Sequence, residues 1–194
     1  MSTTNQQKFL NQSPIQQQLI GNFHRRFLSL LTSVQPTSIL EMGCGEGYLL
    51  DSIHRQVPTI PLLGLDTLDV ALAEGHRLFP KLRLETGDIY HIHQPDAHWD
   101  VAIASEVLEH LDDPRAALKE LKRVAQRYVL LSVPHEPWFR LGNFARGRHL
   151  RSFGNHPEHV NQWTKKSFTT FVSQELSVER VVSAFPWTIV LARV

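Results

Sequence analysis

Hydrophobic residues in this chain follow two spacings that predict different elements. From Pro14 to Ser33 they recur every three or four residues, which predicts an amphipathic helix after a loose tail over 1–13. Beyond it, short apolar runs typical of buried strands alternate with stretches of helical spacing. The predicted strands are 38–42, 61–66, 82–86, 100–104 and 128–133, and the predicted helices between them are 47–55, 68–78 and 114–125.

Strands that alternate with helices predict right-handed crossovers, and therefore a parallel sheet with helices on both faces. The end of the chain differs. A helix over about 165–174 is followed by two strands, Ser177–Ala184 and Trp187–Arg193, with two residues between them. A parallel crossover needs about a dozen residues, so the last two strands are expected to pair antiparallel. The fold class predicted is α/β, in a single domain.

Composition excludes several classes of protein. The formal net charge is +1, from 20 basic and 19 acidic side chains, so no global charge excess points to nucleic acid or a membrane surface. The polar start, Met1 to Gln18, lacks the apolar core of a signal peptide, and no apolar run approaches the ~20 residues of a bilayer span. A lone Cys44 cannot form an internal disulfide. We therefore expect a soluble, cytoplasmic protein.

Three glycines follow the first predicted strand at alternate positions, Gly43, Gly45 and Gly47. This spacing permits a tight turn with positive φ and lets a ligand approach bare backbone, next to the unpaired N–H groups that begin the following helix. The dinucleotide pattern G-x-G-x-x-G is not met, because its third glycine position falls on Tyr48. A purely structural turn remains an alternative.

Acidic side chains follow the next predicted strands. Asp66 lies 23 residues after Gly43, where a carboxylate can bind both hydroxyls of a ribose or cap the next helix. Asp88 and Ile89 follow the third strand, where they suit the edge and face of an adenine. Because parallel strands end at one edge of the sheet, these residues are expected to share one site.

The ordered set resembles the Rossmann-like (class I) S-adenosylmethionine-dependent methyltransferases over roughly residues 36–193. The resemblance implies a seven-stranded, mostly parallel sheet with an antiparallel last strand, and S-adenosylmethionine as the cofactor. It places the methionine part of the cofactor at Glu41 and the Gly43–Gly47 loop, the ribose at Asp66 and the adenine at Asp88. The implied cofactor site is Glu41, Gly43, Cys44, Gly45, Gly47, Asp66, Thr67, Asp88, Ile89, Ser105 and Glu106. Cys44 itself is interpreted as a small packing residue.

By this resemblance the chain is one methyltransferase domain over 1–194. Its parts are an N-terminal tail and helix over 1–35, a cofactor-binding half over 36–133, an acceptor-binding insertion over 134–163, and the last helix with its strand pair over 164–194. Methyl transfer to a hydroxyl needs a proton acceptor or a metal. The candidates beyond the fourth and fifth strands are Glu109, His110, His135 and Glu136, each of which can alternatively be a structural residue.

The insertion is basic and aromatic. It carries four arginines among its aromatic residues and no acidic residue from Pro137 to Pro157, a local charge of +4. Arginines suit phosphate or carboxylate groups, and aromatics suit an apolar body. The segment resembles insertions in ubiquinone-biosynthesis O-methyltransferases. We therefore expect a small acceptor, anionic or lipid-like, with peripheral membrane contact and a solvated basic loop as alternatives.

A second resemblance leads to a different acceptor. Small-RNA 3′-terminal 2′-O-methyltransferases bind a divalent metal through a Glu-x-x-Glu-His run and a later histidine. Glu106, Glu109 and His110 match the run, and His159, before Trp163, resembles the later ligand. On a helix this run would share one face. The main interpretation assigns no metal and no nucleic acid, and a non-catalytic cofactor-binding relative is the third alternative.

Overall fold

The secondary structure follows the predicted hydrophobic runs within a few residues at each boundary. The computed structural model describes residues 14–135 and 160–194. The tail over 1–13 and most of the insertion, 136–159, lie outside the described residues. The helices are α1 (Pro14–Ser33), α2 (Tyr48–Gln56), α3 (Asp69–Leu78), α4 (Pro114–Val124) and α5 (Lys165–Ser173). The strands are β1 (Ile39–Met42), β2 (Leu62–Asp66), β3 (Leu84–Thr86), β4 (Trp99–Ser105), β5 (Ala125–Pro134), β6 (Ser177–Ala184) and β7 (Trp187–Arg193).

The strands form one seven-stranded sheet in the order β3-β2-β1-β4-β5-β7-β6. The first five strands pair parallel to their neighbours. The last strand, β7, lies antiparallel between β5 and β6. This confirms the predicted α/β fold and the antiparallel pairing of the last two strands. The strand order reverses between β1 and β4, so their carboxyl ends flank the crevice where open sheets bind ligands.

Successive strand residues point to opposite faces, and each face has its own core. Leu40 and Met42 of β1 pack in a cluster with the buried faces of α4 and α5. Ile39 of the same strand belongs instead to a cluster with Phe27 of α1 and Ile53 of α2. Helices therefore cover both faces of the sheet, as predicted.

The start of α4 shows how local sequence positions a helix. The Asp113 carboxylate accepts hydrogen bonds from the backbone N–H groups of Arg115 and Ala116, at 3.1 and 3.0 Å. Pro114 occupies the first turn, where its missing N–H is not needed. The buried face is the predicted one: Ala117, Leu118, Leu121 and Val124. The helix runs directly into β5, which begins at Ala125, three residues earlier than predicted, because Ala125 already pairs with Trp99.

No helix among the described residues combines the length and the hydropathy that a bilayer span requires.

A buried acid stabilises the sheet at the amino end of its central strands. Asp100 is 1 % exposed and forms an ion pair with Arg127. Its carboxylate also accepts a hydrogen bond from the backbone N–H of Thr37 at 2.7 Å. The Arg127 guanidinium, aided by that N–H, holds the pKa of the Asp100 carboxyl below its ordinary value.

We expect Asp100→Asn to lower the free energy of unfolding by about 2 kcal/mol at neutral pH, because it removes a charge-assisted hydrogen bond. A lowered pKa stabilises the fold above the ordinary value of about 4, and that contribution is lost as the pH falls through the folded value. The difference between variant and wild type should therefore shrink below about pH 4. Urea unfolding at several pH values measures it.

Glu85→Gln is the control, because Glu85 pairs with Arg83 on the surface, where both side chains are well exposed. We expect this variant to change the free energy of unfolding by less than about 1 kcal/mol. An Asp100→Asn effect that is equally small, or that does not depend on pH, would contradict the anchoring role.

Candidate functional site

The glycine turn after β1 adopts the backbone conformation that its sequence predicts. Gly43, Gly45 and Gly47 have φ values of +72°, +54° and +86°. This left-handed region is readily accessible only to glycine. The N–H groups of Gly43 and Cys44 both donate to the Leu65 carbonyl oxygen, at 2.7 and 3.1 Å. The loop is thus fastened across the sheet edge to the end of β2.

Asp66 completes this attachment. One carboxylate oxygen accepts a hydrogen bond from the Gly45 N–H at 2.7 Å, and the other accepts from the Leu68 N–H at 2.9 Å, just before α3. Each carboxylate oxygen has a second lone pair, so the side chain can still accept further hydrogen bonds. The predicted helix-capping alternative is wrong, because the N-cap of α3 is Leu68 and no described side chain caps the helix there. A ligand-binding role is compatible with the remaining lone pairs of Asp66.

Cys44 packs within this loop. A Cβ atom on Gly64 would lie 2.8 Å from the Cys44 sulfur, so the glycine in β2 makes room for the thiol. Burial raises the pKa of the Cys44 thiol, and the carboxylates of Glu41 and Asp66 raise it further. A thiol that stays protonated is a poor nucleophile. The arrangement agrees with the packing role expected for this residue.

Two acidic side chains are buried beneath the loop. Glu41 is 2 % exposed and Glu46 is 1 % exposed. Burial, together with the nearby Asp66 carboxylate, raises the pKa of Glu41 to about 8. Within the described part of the chain, the Glu41 Oε2 atom has no hydrogen-bond partner. A buried carboxyl in this state is suited to a cationic or hydrogen-bond-donating ligand group, which would lower its pKa.

The residues after β4 connect three strands at the same edge. Glu106 has a φ of +60°, which is uncommon for a residue other than glycine, and its N–H donates to the Ser132 carbonyl oxygen at 3.0 Å. Its Oε2 atom accepts a hydrogen bond from Nε1 of Trp187 at 2.5 Å. The hydroxyls of Ser105 and Ser132 are 2.9 Å apart. The ends of β4, β5 and β7 are therefore held together by polar contacts.

These elements enclose a pocket at the carboxyl ends of β1 and β4. Residues of α1 form the roof of the pocket. The ring centroids of Phe23 in α1 and Trp187 in β7 are 5.1 Å apart. The lining residues are Ile20, Phe23, His24, Glu41, Gly43, Cys44, Glu46, Tyr48, Leu49, Ser105, Glu106 and Trp187.

Five of the predicted site residues line this pocket: Glu41, Gly43, Cys44, Ser105 and Glu106. The other lining residues were not predicted. In the sequence, Phe23 is one of the regularly spaced apolar residues of the first predicted helix, and that spacing does not show that α1 reaches the site. The sequence did single out Tyr48, because this residue stands where the dinucleotide pattern requires a glycine, at the start of α2.

The remaining predicted cofactor residues lie at the same sheet edge but outside the pocket wall. Asp66 is attached to the loop, and Thr67 beside it is exposed. Asp88 is exposed after β3, and its carboxylate accepts from the Tyr90 N–H at 2.9 Å within its own turn. Ile89 is 6 % exposed and belongs to the core. Gly45 and Gly47 shape the loop without lining the pocket.

The predicted catalytic residues are placed differently. Glu109 is 1 % exposed within a 3₁₀ turn, and His110, in the same turn, has a side chain that is 35 % exposed. The N–H of His135 donates to the Pro186 carbonyl oxygen at 2.8 Å. None of these three described residues lines the pocket. Glu136 lies outside the described residues.

The Glu-x-x-Glu-His run does not form the helix on which its shared face depended. Glu106 has a left-handed backbone, and the 3₁₀ turn covers only Leu108–His110. No group of three or more potential metal ligands occurs among residues 14–135 and 160–194. His159 lies outside these ranges, so the proposed later ligand is not described.

Known sequences place the chain in a family. A model described as "Methyltransferase domain" matches residues 13–174. A probable S-adenosylmethionine-dependent methyltransferase of Mycolicibacterium smegmatis is 32% identical over 109 residues, which are 54% of this chain and 40% of that protein. A similarly named protein of Mycobacterium tuberculosis is 33% identical over 98 residues, 49% of this chain and 34% of that protein. The aligned segments thus cover two fifths or less of these relatives.

Solved structures share the fold. The methyltransferase domain of bacterial CtHen1 has a TM-score of 0.72 at 22% identity, covering 91% of this chain and 100% of that chain. Magnesium protoporphyrin IX methyltransferase from Synechocystis, with bound SAH, has a TM-score of 0.70 at 14% identity, covering 99% and 95%. A SAM-dependent methyltransferase from Aquifex aeolicus has a TM-score of 0.65 at 18% identity, covering 81% of each chain.

A glycine in α3 allows the loop to lie where it does. A Cβ atom on Gly75 would be 2.7 Å from the backbone oxygen of Glu46. We expect Gly75→Ala to lower the free energy of unfolding by about 1–3 kcal/mol, because the loop backbone would have to move. Urea unfolding measures this effect.

The same substitution at Gly21 in α1 is a matched control. A Cβ atom there meets nothing within 4 Å, so Gly21→Ala should stabilise the protein by up to about 1 kcal/mol through helix propensity. Equal effects at Gly75 and Gly21 would show that the contact with Glu46 does not restrict the loop.

Proposed function

This chain belongs to the S-adenosylmethionine-dependent methyltransferase family, and from that premise we propose that it transfers a methyl group to an oxygen or nitrogen atom of a small metabolite. The observation that carries the proposal is the pocket at the point where the strand order reverses. It combines bare glycine backbone and buried carboxylates with an aromatic roof. A donor and an acceptor could be aligned there.

The residues present suit the cofactor. Glu41 offers a buried oxygen atom without a hydrogen-bond partner in the described chain, which suits the ammonium group of the methionine part. Gly43 lets the loop pack closely against Val107, because a Cβ atom there would lie 2.4 Å from the Val107 side chain. Asp66 retains lone pairs for ribose hydroxyls. When bound, S-adenosylmethionine supplies an electrophilic methyl group on a positively charged sulfur.

The described part of the pocket favours an acceptor whose reacting end is neutral. Its described lining contains three glutamates and neither lysine nor arginine. The side chains of Phe23 and Trp187 offer an apolar surface to the acceptor and help to align it. An anionic or lipid-like part of the acceptor would then meet the arginine-rich segment over 137–157, which lies outside the described residues.

A second candidate is a metal-dependent RNA 3′-terminal 2′-O-methyltransferase. It is supported by the Glu106, Glu109 and His110 run. The backbone weighs against it, because the 3₁₀ turn covers only Leu108–His110 and Glu106 has a left-handed conformation, so the run does not share one helix face. Turnover that persists in EDTA would exclude this candidate.

Two measurements test the main proposal. Isothermal titration with S-adenosylhomocysteine should show binding, and incubation with methyl-labelled S-adenosylmethionine and a protein-free metabolite extract should give a labelled small product. Absence of binding at millimolar ligand would refute both enzyme functions. Binding without any labelled product would favour a non-catalytic cofactor-binding protein.

We expect Asp66→Ala to weaken S-adenosylhomocysteine binding by about 10- to 100-fold, because hydrogen bonds to a charged acceptor contribute roughly 1.5–3 kcal/mol. Titration calorimetry measures the affinity, and circular dichroism checks that the variant is folded. Asp69→Ala is the control, since Asp69 is an exposed acid in the first turn of α3. Unchanged affinity in Asp66→Ala would leave Asp66 as a structural residue only.

The raised pKa of Glu41, about 8, gives a further prediction. Glu41 is then mostly protonated at neutral pH, and an ammonium group placed beside it should lower its pKa and release a proton. Titrations with S-adenosylhomocysteine in buffers of different ionisation enthalpy count the protons released. Glu41→Gln should abolish this release, whereas the exposed control Glu85→Gln should keep it. Equal release in wild type and Glu41→Gln would contradict the assignment.

A further inference from the structure

The roof of the pocket carries a histidine. His24 lies on α1, one residue after Phe23, and both line the pocket together with Ile20. Ile20, Phe23, His24 and Phe27 have the spacing of a single helix face. The ring centroids of Phe23 and His24 are 5.7 Å apart. The imidazole therefore lies beside an aromatic ring in the wall of the pocket that the glycine loop also lines.

The chemical state of His24 suits proton transfer. Burial lowers the pKa of its imidazole below the ordinary value of 6.5, so the ring is mostly neutral at neutral pH. The titratable side chains that share the pocket are Glu41 from β1, Cys44, Glu46 and Tyr48 from the loop and the start of α2, and Glu106 after β4. Once protonated, the ring would face these carboxylates, which favours proton uptake during a reaction.

The other candidate bases are less well placed. The Glu106 carboxylate accepts a hydrogen bond from Trp187 at 2.5 Å, and Glu41 lies beneath the glycine loop among the donor-binding groups. His110 and His135 do not line the pocket. Among the described lining residues, His24 is the one imidazole.

We propose that His24 is the general base of the reaction and that the acceptor group is a hydroxyl. This inference rests on the methyltransferase function proposed above. A lone pair of the acceptor oxygen forms the bond to the methyl carbon, the carbon–sulfur bond breaks, and its electron pair stays on the departing sulfur. The hydroxyl proton moves to the unprotonated ring nitrogen of His24, which later releases it to solvent. Charge balances, because the positive charge passes from the sulfonium to the imidazolium.

The test uses methyl-labelled S-adenosylmethionine and a protein-free metabolite extract as the probe. Glutamine at position 24 can form hydrogen bonds but cannot take up a proton, so His24→Gln should lower the rate of labelled-ether formation by about 100-fold or more. Its affinity for S-adenosylhomocysteine should stay within about threefold of wild type. Arg25→Gln is the matched control, since Arg25 is the exposed neighbour on the same helix, and it should keep the wild-type rate.

Chemical rescue separates a proton acceptor from a packing residue. His24→Ala removes the ring and leaves space, so added imidazole should restore part of its rate and should have no effect on His24→Gln. The inference is overturned if His24→Gln keeps more than half of the wild-type rate, or if imidazole fails to rescue His24→Ala. If the wild type itself gives no labelled product, the proposed function fails, and the role of His24 fails with it.

Discussion

The site depends on one attachment, the hydrogen bonding of the glycine loop to the end of β2. Backbone N–H groups of the loop converge on the Leu65 carbonyl oxygen and on the Asp66 carboxylate, all within 3.1 Å. Because the glycines at these positions have positive φ, the loop can turn back without strain and leave its remaining surface bare. This turn positions the loop backbone that lines the pocket at the carboxyl end of β1.

The attachment also brings three acidic side chains together in a confined volume. Glu41, Glu46 and Asp66 lie in or beneath the loop with at most 9 % exposure. Burial raises the pKa of Glu41, and the nearby Asp66 carboxylate raises it further. In the proposed function, a positively charged donor that enters this site would lower that pKa again.

The fold could be predicted from the sequence because each element carries its own periodicity. The α4 face, the Asp113 cap and the antiparallel final pair depend on local spacing and loop length alone. The floor of the pocket was predicted for the same reason, since strand ends share one edge. The roof could not be predicted, because the contact between Phe23 of α1 and Trp187 of β7 joins elements far apart in the sequence through tertiary packing. No local pattern reports such a contact.

The Trp187–Glu106 contact links the final hairpin to the switch point of the sheet. The glycine loop and the ends of β1 and β4 form one side of the pocket, whereas α1 and Trp187 of β7 form the other. Substitutions in α1 and β7 can therefore reshape the pocket without disturbing the glycine turn. In the proposed function, such substitutions would change the acceptor and leave the donor site constant.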